Sequence, residues 1–361
     1  MRLVLPLVLL LATHAAGNPA TVVAPAQDAP WKATHPDRVQ RSIPVAIDTG
    51  WIADTKSLGK TVQMELFDGL VVPGTIATQA KIPGGSAVRV DFDFPALGNA
   101  HFSIVGDNVA ARVALPGIGE YEIRPTQDGG HVLVQWDWSG VAGCAADHFA
   151  GNTARPPLPG PGTPKGDAPA EIDVMVAYTP AVRSAAGGEA GALALINLAF
   201  TLTNEAYANS QINAQINLVH TVETQYTESG DTGVDLAYLT FPTDGAMDEL
   251  HALRNQYGAD LVALLVGSGN ACGTAWIMDT FSTDFANRGF SVTEDGCITN
   301  LTFGHELGHN LGCAHDRQNA SGGLFPYSWG WRFTGGDNVL YRTVMSYAPG
   351  LRVNIFSNPD I

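Results

Sequence analysis

Apolar and turn-forming positions divide the chain into unlike stretches. Between residues 40 and 140, short apolar runs fall at Val62–Leu66, Ala87–Phe92, His101–Val105, Ala110–Leu115 and His131–Trp138. Pro73-Gly74, Pro83-Gly84-Gly85, Gly106-Asp107-Asn108 and Asp128-Gly129-Gly130 punctuate them. Runs of this length between such turns predict strands, and their spacing predicts a small all-β sandwich or barrel. From residue 170 the rhythm changes. Asp173–Tyr178, Gln215–Val222 and Asp260–Val266 predict strands, and Gly273–Met278 and Phe290–Thr293 are further candidates. Leu193, Ile196, Phe200 and Tyr207 recur at helical spacing and predict a helix over Glu189–Asn209. Asp248–Tyr257, and a segment from about Asn300 to Leu311, read as two more helices. Strands and helices in alternation predict an α/β domain.

Two polar or irregular segments mark the boundaries. Residues 1–17 carry Arg2, then a ten-residue apolar stretch from Leu3 to Ala12, then small residues at Ala15, Ala16 and Gly17. That order predicts a secretory signal peptide, since the apolar stretch is too short to cross a hydrocarbon core of ~30 Å as a helix. Residues 151–169 hold six Pro and four Gly, a composition that builds neither helix nor sheet and predicts an extended linker with basic cut sites at Arg155 and Lys165. The expected organisation is a signal peptide at 1–17, a β-rich segment at 18–150, the linker at 151–169 and an α/β domain at 170–361.

Composition sharpens this division. Of 361 residues, 45% are apolar and 15% charged, enough for a core and too little charge for a disordered chain. The net charge of −16 is uneven: −3 over residues 1–170 and −13 over residues 171–361, where seven Arg and no Lys face 20 acids. Phosphate contacts need a Lys/Arg excess, so nucleic acid is not an expected partner. No later apolar run reaches the ~18 residues of a membrane span.

The chemistry is concentrated in residues 305–316, HELGHNLGCAHD. His305 and His309, four residues apart on a helix, share one face and can grip one Zn²⁺. Glu306 lies beside the first of them, placed to take a proton from water instead of binding the metal. Gly312 permits a sharp turn that returns His315 as a third ligand. Three neutral histidines leave a fourth position open, which marks a catalytic site, in which Zn²⁺ lowers the pKa of its water toward ~7. Five fixed residues in this spacing arise by chance on the order of once in ten million positions.

The extended pattern H-E-x-x-H-x-x-G-x-x-H resembles that of the metzincin metallopeptidases. Thr343-Val344-Met345-Ser346-Tyr347, 30 residues after His315, resembles their methionine turn, a support beneath the metal. Tyr347 resembles the tyrosine that astacins and serralysins set near the zinc, either steadying an oxyanion or packing. Asp316, directly after His315, resembles reprolysins. With FSNP at 356–359, the whole is most similar to secreted bacterial reprolysin-like metzincins, including peptidyl-Asp endopeptidases. The resemblance covers about residues 170–361. It implies a zinc endopeptidase with a twisted mixed sheet and an active-site helix, and it makes the β-rich segment a prodomain. It also puts Arg352 at the wall of a primed-side specificity pocket, where a base would favour an acidic side chain. One departure is that metzincins usually carry a C-terminal helix, whereas this sequence stops 16 residues past Met345; either the helix is absent or the chain is a truncated version of a longer one.

The four cysteines are Cys144, Cys272, Cys297 and Cys313. Cys144, at the end of the β-rich segment, resembles a cysteine switch, whose thiolate caps the zinc until the linker is cut. The alternative is a second disulfide. Cys272–Cys297 and Cys297–Cys313 are both possible bridges, and Cys313 could instead be a thiol buried beside the turn. His101, His131, His220 and His251 read as structural. Asn300-Leu301-Thr302 and Asn319-Ala320-Ser321 are glycosylation sequons. No loop motif decides whether structural Ca²⁺ is bound. Two other functions compete: a catalytically silent binding protein on the same fold, against which the intact Glu306 argues, and an adhesive or carbohydrate-binding role for the β-rich segment.

Overall fold

A computed structural model of the chain describes residues 19–359, apart from residues 27–30, 34, 95–97, 139–142, 145–146, 149–168 and 321. The predicted signal peptide and all but Pro169 of the predicted linker lie outside the described residues.

The N-terminal part is a closed barrel of nine strands: β1 (Ala20–Pro25), β2 (Val39–Ile47), β3 (Thr61–Glu65), β4 (Val71–Ile82), β5 (Gly85–Phe92), β6 (Asn99–Val105), β7 (Asn108–Leu115), β8 (Gly119–Pro125) and β9 (His131–Trp136). Strands β3 to β9 meander antiparallel, β2 pairs with β9, and parallel pairing of β1 with β3 closes the ring. The five runs seen in the sequence are β3, β5, β6, β7 and β9, with ends shifted by up to two residues. Strands β1, β2, β4 and β8 were not predicted. Short helix α1 (Thr49–Ala53) packs on the barrel, with Asp48 capping its first turn.

Alternation shows how the barrel meets the rest of the chain. Along β6, Ala100, Phe102 and Ile104 fill the barrel core, as one face of a pleated strand must. The opposite face, His101, Ser103 and Val105, is also buried, because a long helix of the second domain lies across it. The polar groups on that face are therefore buried with it, and His101 meets Glu205 of that helix at 2.8 Å.

The second domain begins at β11 (Ala170–Tyr178), after a two-residue strand β10 (Asp147–His148). There follow α2 (Pro180–Ala185), α3 (Glu189–Asn209), β12 (Ala214–Glu223), α4 (Thr232–Thr240), α5 (Glu249–Tyr257), β13 (Leu261–Val266), β14 (Gly273–Ile277), β15 (Phe290–Glu294) and α6 (Thr302–Asn310). The sheet order is β10-β14-β15-β13-β11-β12, mixed because β14 and the parallel β10 beside it run opposite to the other four strands. Helices α3 and α6 cover one face, packing Leu195, Leu198, Phe303 and Leu307 on Val174 and Val176. Helices α4 and α5 cover the other with Leu236, Leu239 and Leu250. β13, LVALLV, is buried throughout, which matches a central strand covered on both sides. This layering is a metzincin-like α/β domain. A small sheet of β16 (Arg332–Thr334), β17 (Leu340–Arg342) and β18 (Leu351–Arg352) follows α6. No helix follows α6 among the described residues.

Cys272 and Cys297 form a disulfide, and Cys144 and Cys313 are free. The bridge spans 25 positions and ties the start of β14 to the turn before α6. Restricting a loop of that size is worth about 3.5 kcal/mol in the chain-entropy picture.

Candidate metal centre

Helix α6 lies buried along its whole length, presenting His305 and His309 on one face. It ends where Gly312 takes φ +90°, a left-handed geometry that a side chain would strain, and where an added Cβ would stand 2.5 Å from Leu324. The Gly312 turn reverses the chain so that His315 faces the helix. His309 Nε2 lies 3.1 Å from His305 Nε2 and 3.0 Å from His315 Nε2. Three nitrogens that close are not an ordinary contact. Ligands ~2.0–2.1 Å from one tetrahedral ion stand ~3.3 Å apart, so the three atoms mark the corners of such a site.

The outward ring nitrogens are fixed by the backbone. His305 Nδ1 pairs with Val344 O and His309 Nδ1 with Cys313 O, each at 2.8 Å. A carbonyl partner makes Nδ1 the donor and leaves the Nε2 lone pair pointing inward. Burial, with His309 next, pushes His305 well below its ordinary pKa, so the ring is neutral. The donor set therefore fits Zn²⁺.

Cys144 completes the cluster, with its thiol and the three histidine nitrogens all within 4.8 Å of one another. Its Sγ donates to Glu306 Oε2 at 3.0 Å. Burial, then Glu306, raises the thiol well above its usual value, so it is protonated without a metal. A bound cation inverts that preference. Glu306 is fully buried and Oε1 has no hydrogen-bond partner among the described residues. Burial pushes its carboxyl up to about 8, against the Cys144 thiol and Arg352, which lower it.

Met345 lies beneath the helix: a Cβ added at Gly308 would stand 2.7 Å from its Sδ. The Tyr347 ring packs against His315 at a tilt, ring centroids 4.0 Å apart, and its hydroxyl donates to the Cys144 carbonyl. Burial, then Cys144 and Glu306, raises the Tyr347 phenol, so it remains a donor. Asp316 accepts from Arg332 at 2.7 Å, Asn319 at 2.9 Å and the Tyr347 amide at 3.0 Å. Burial opposes its charge, but the hydrogen bonds from Asn319 and Arg332 prevail and hold its pKa low. Arg352 borders the cavity of about 190 Å³ that also contains His305, Cys144 and Tyr347. It is half-buried there.

Other predicted residues lie elsewhere. Cys313 is a thiol packed against the core, pushed up to about 11 by burial. His131 accepts from the Val109 amide inside the barrel, and His220 stacks on Tyr257. His101 contacts Glu205 of α3 at 2.8 Å. Sequence reasoning missed Gly273, whose missing side chain makes room for Glu306, and Arg342, beside Arg352. It also missed the β10 segment, which pairs with β14 through Asp147–Trp276 and His148–Ile277. The clue for Gly273 was its place directly after Cys272 at the head of a predicted strand.

Three inward histidines on a helix and a glycine turn, over a methionine, define the class of zinc metallopeptidases. A sequence profile of metallopeptidase family M12B, reprolysin-like, matches residues 168–361. A peptidyl-Asp metalloendopeptidase of Xanthomonas campestris is 31% identical over 88% of this chain and 78% of its own length. Another of that name, from Stenotrophomonas maltophilia, is 34% identical over 67% of this chain and 58% of its own. The chain thus spans little more than half of the latter relative. The chain belongs to the reprolysin-like M12B metallopeptidase family. Among solved structures, metalloproteinase-II from Bacteroides fragilis aligns with a TM-score of 0.48 at 10% identity, covering 83% of this chain and 88% of that one.

Proposed function

We propose that the chain is a secreted zinc-dependent endopeptidase, made as a zymogen that its N-terminal barrel keeps latent. One observation carries the reading: three histidine nitrogens and a cysteine thiol converge on one point beside a buried carboxylate. Held by His305, His309 and His315, zinc supplies Lewis acidity, polarising a peptide carbonyl and acidifying a water. Glu306 accepts a proton from that water at Oε2, the oxygen Cys144 now occupies, and delivers it to the leaving amide nitrogen. Tyr347, released from the Cys144 carbonyl, is free to donate to the developing oxyanion. A substrate strand would add to the edge of β14 by main-chain pairing, the place now taken by Asp147 and His148.

Latency is supported by the same contacts, since the thiol, the carbonyl of Cys144 and the β10 pairing all occupy ground a substrate would need. Export is supported by the apolar stretch at residues 3–12 and by the Cys272–Cys297 disulfide. No helix among the described residues is long and apolar enough to cross a membrane. The shared name of the relatives adds an expectation of cleavage at aspartate.

The test is digestion of casein and a peptide library by the zinc-loaded chain, with the linker cut or intact, with and without chelator, beside Glu306→Gln. Chelator-sensitive cleavage that appears after linker cutting and is lost in the variant is expected. Chelator-insensitive cleavage, or an active variant, overturns the assignment.

A further inference from the structure

A second concavity lies away from the histidines, in the segment that follows the Gly312 turn. Trp329, Trp331 and Phe333 alternate along the stretch that runs into β16, so their side chains fall on one face, about 6.6 Å apart. Tyr327 precedes them at the same interval. All four line a cavity of about 600 Å³, the size of a ligand site, together with Phe356 and Pro359. Neighbours hold the rings in place: Arg317 lies over Trp329 at 4.8 Å, Phe325 stacks on Tyr327 at 5.4 Å and Tyr341 on Phe333 at 5.7 Å. Tyr327 and Trp331 nevertheless remain 55% and 56% exposed. A row of aromatic rings left to solvent marks an interaction site.

The polar side chains around this groove are engaged with the protein itself. Ser357 Oγ donates to Trp329 O, Asn358 Nδ2 to Ser210 O at 2.8 Å and Arg317 Nη2 to Pro326 O at 2.8 Å, and Thr343 Oγ1 accepts from the Trp331 amide at 2.9 Å. What the groove offers is ring faces. A sugar would leave hydroxyls unpaired there, at a cost. A proline-rich chain suits it, being apolar, short of backbone donors and preformed as a polyproline II helix. This chain carries such a segment. Residues 156–161, PPLPGP, hold four prolines, and a three-residue repeat puts Pro156 and Pro159 on one ridge and Leu158, Pro161 and Pro164 on another. Residues 149–168 lie outside the described residues, but both described ends stand on the frame of the groove. Ala170 N donates to Asn213 O at 3.0 Å, and Ser210, three residues earlier and at most about 11 Å away, holds Asn358 and the Phe356 amide. At the other end His148 pairs with Ile277, Met278 N donates to His309 O at 3.0 Å, and Ala314 bridges to Trp329. His309 and Ala314 are at most about 19 Å apart. The 21 residues between His148 and Ala170 reach up to about 65 Å, more than both intervals together.

We propose that this aromatic groove is the docking site of the chain's own proline-rich segment, residues 156–161, in the uncut protein. The proposal goes beyond the peptidase reading and does not depend on it. Tethering at both ends supplies an effective concentration of about 1 mM, so a Kd as weak as ~100 µM leaves the groove about 90% filled. A free partner of equal affinity competes only near the same concentration, which favours the tethered segment over a second copy of the chain. Docking also bears on processing. Exposed, unattached segments are the preferred sites of nicking, so a docked segment slows cutting at Lys165, one residue past Pro164.

The experiment uses the uncut full chain and a fluorophore-labelled synthetic peptide of residues 151–169, with binding read by anisotropy. The wild type is compared with a linker variant carrying Pro156→Ser, Pro157→Ser, Pro159→Ser and Pro161→Ser, and with that variant plus Trp331→Ser. The peptide is expected to bind the linker variant about tenfold more tightly than the wild type, whose groove is filled, and to lose about tenfold or more when Trp331→Ser is added. Tyr327→Ser, at the other end of the row, repeats the test on a second variant, and thermal melting shows that each is folded. Trypsin is expected to cut at Lys165 roughly fivefold faster in the linker variant and in Trp331→Ser alone than in the wild type. Equal binding to wild type and linker variant, no binding to either, binding indifferent to both ring substitutions, or an unchanged cutting rate overturns the proposal. A wild-type dimer in sedimentation that Trp331→Ser dissociates overturns it too, since the groove then belongs to a second copy.

Discussion

Gly273 offers a way to displace Glu306, the proposed base, without touching a proposed metal ligand. An alanine methyl there would stand 2.5 Å from Glu306 Oε1 and 2.8 Å from both Cδ and Cγ. The first distance is about 1 Å short of ordinary contact, and all three atoms belong to one side chain on a buried helix. Either the carboxylate swings aside or β14 retreats, at an overpacking cost of about 1–3 kcal/mol. A misplacement near 1 Å costs a catalytic group roughly 100-fold, within the 10²–10⁴ that a general base contributes. His305 and His309 are anchored through Nδ1 by Val344 O and Cys313 O, neither of which belongs to β14. Gly273→Ala is therefore expected to lose about 100-fold in kcat while holding one zinc per chain. The assay pairs peptide kinetics of the linker-cut enzyme with zinc content after dialysis and thermal unfolding. Wild-type kcat in Gly273→Ala, alongside a dead Glu306→Gln, would refute the claim that this glycine sets the position of the base.

Two further outcomes follow from the contacts of the barrel. In a chain with Arg155→Gln and Lys165→Gln to resist activation, Cys144→Ser removes the thiol from the cluster, and chelator-sensitive activity is expected to rise at least tenfold over the uncut parent; full latency would sink the capping role. Glu122, buried where the barrel meets Asp295 and Thr299, is raised from 4.5 to about 7 by burial, against Arg124 and the Trp136 hydrogen bond. The folded state binds its proton more tightly than the unfolded chain, so this contribution is full below about pH 4.5 and is lost as pH rises through 7, a change of about 3 kcal/mol. Melting of the uncut chain should fall between pH 5 and 8, and Glu122→Gln should flatten that fall; parallel curves for the two proteins would contradict it.

Features that depend on neighbours in sequence were readable. His305 and His309 share a face because a helix repeats every 3.6 residues, and His315 follows because Gly312 can turn where other residues strain. The long helix α3 and the buried strand β13 announced themselves by periodicity and by a continuous apolar run. Helix α4 was missed because its nine residues include a glycine near the start and two threonines, a weak helical pattern whose one clear signal is the Asp231 cap. Strands β1 and β2 were missed because their partners β3 and β9 lie far along the chain, and β4 because Pro73-Gly74, which reads as a turn, falls inside it.

What only the folded chain decided are the meetings of distant residues. Two pairings for Cys297 were equally compatible with the sequence, and the approach of β14 to the turn before α6 selected Cys272. Cys144 reaches Glu306, 162 residues away, because the end of the barrel segment joins the β14 edge. Arg342 and Arg352 share a cavity because β17 and β18 pair in register. Composition and periodicity record the local preferences of the backbone. They do not record which of many possible long-range contacts survive the loss of chain entropy, and here those contacts bring Cys144 to Glu306 and set Arg342 against Arg352.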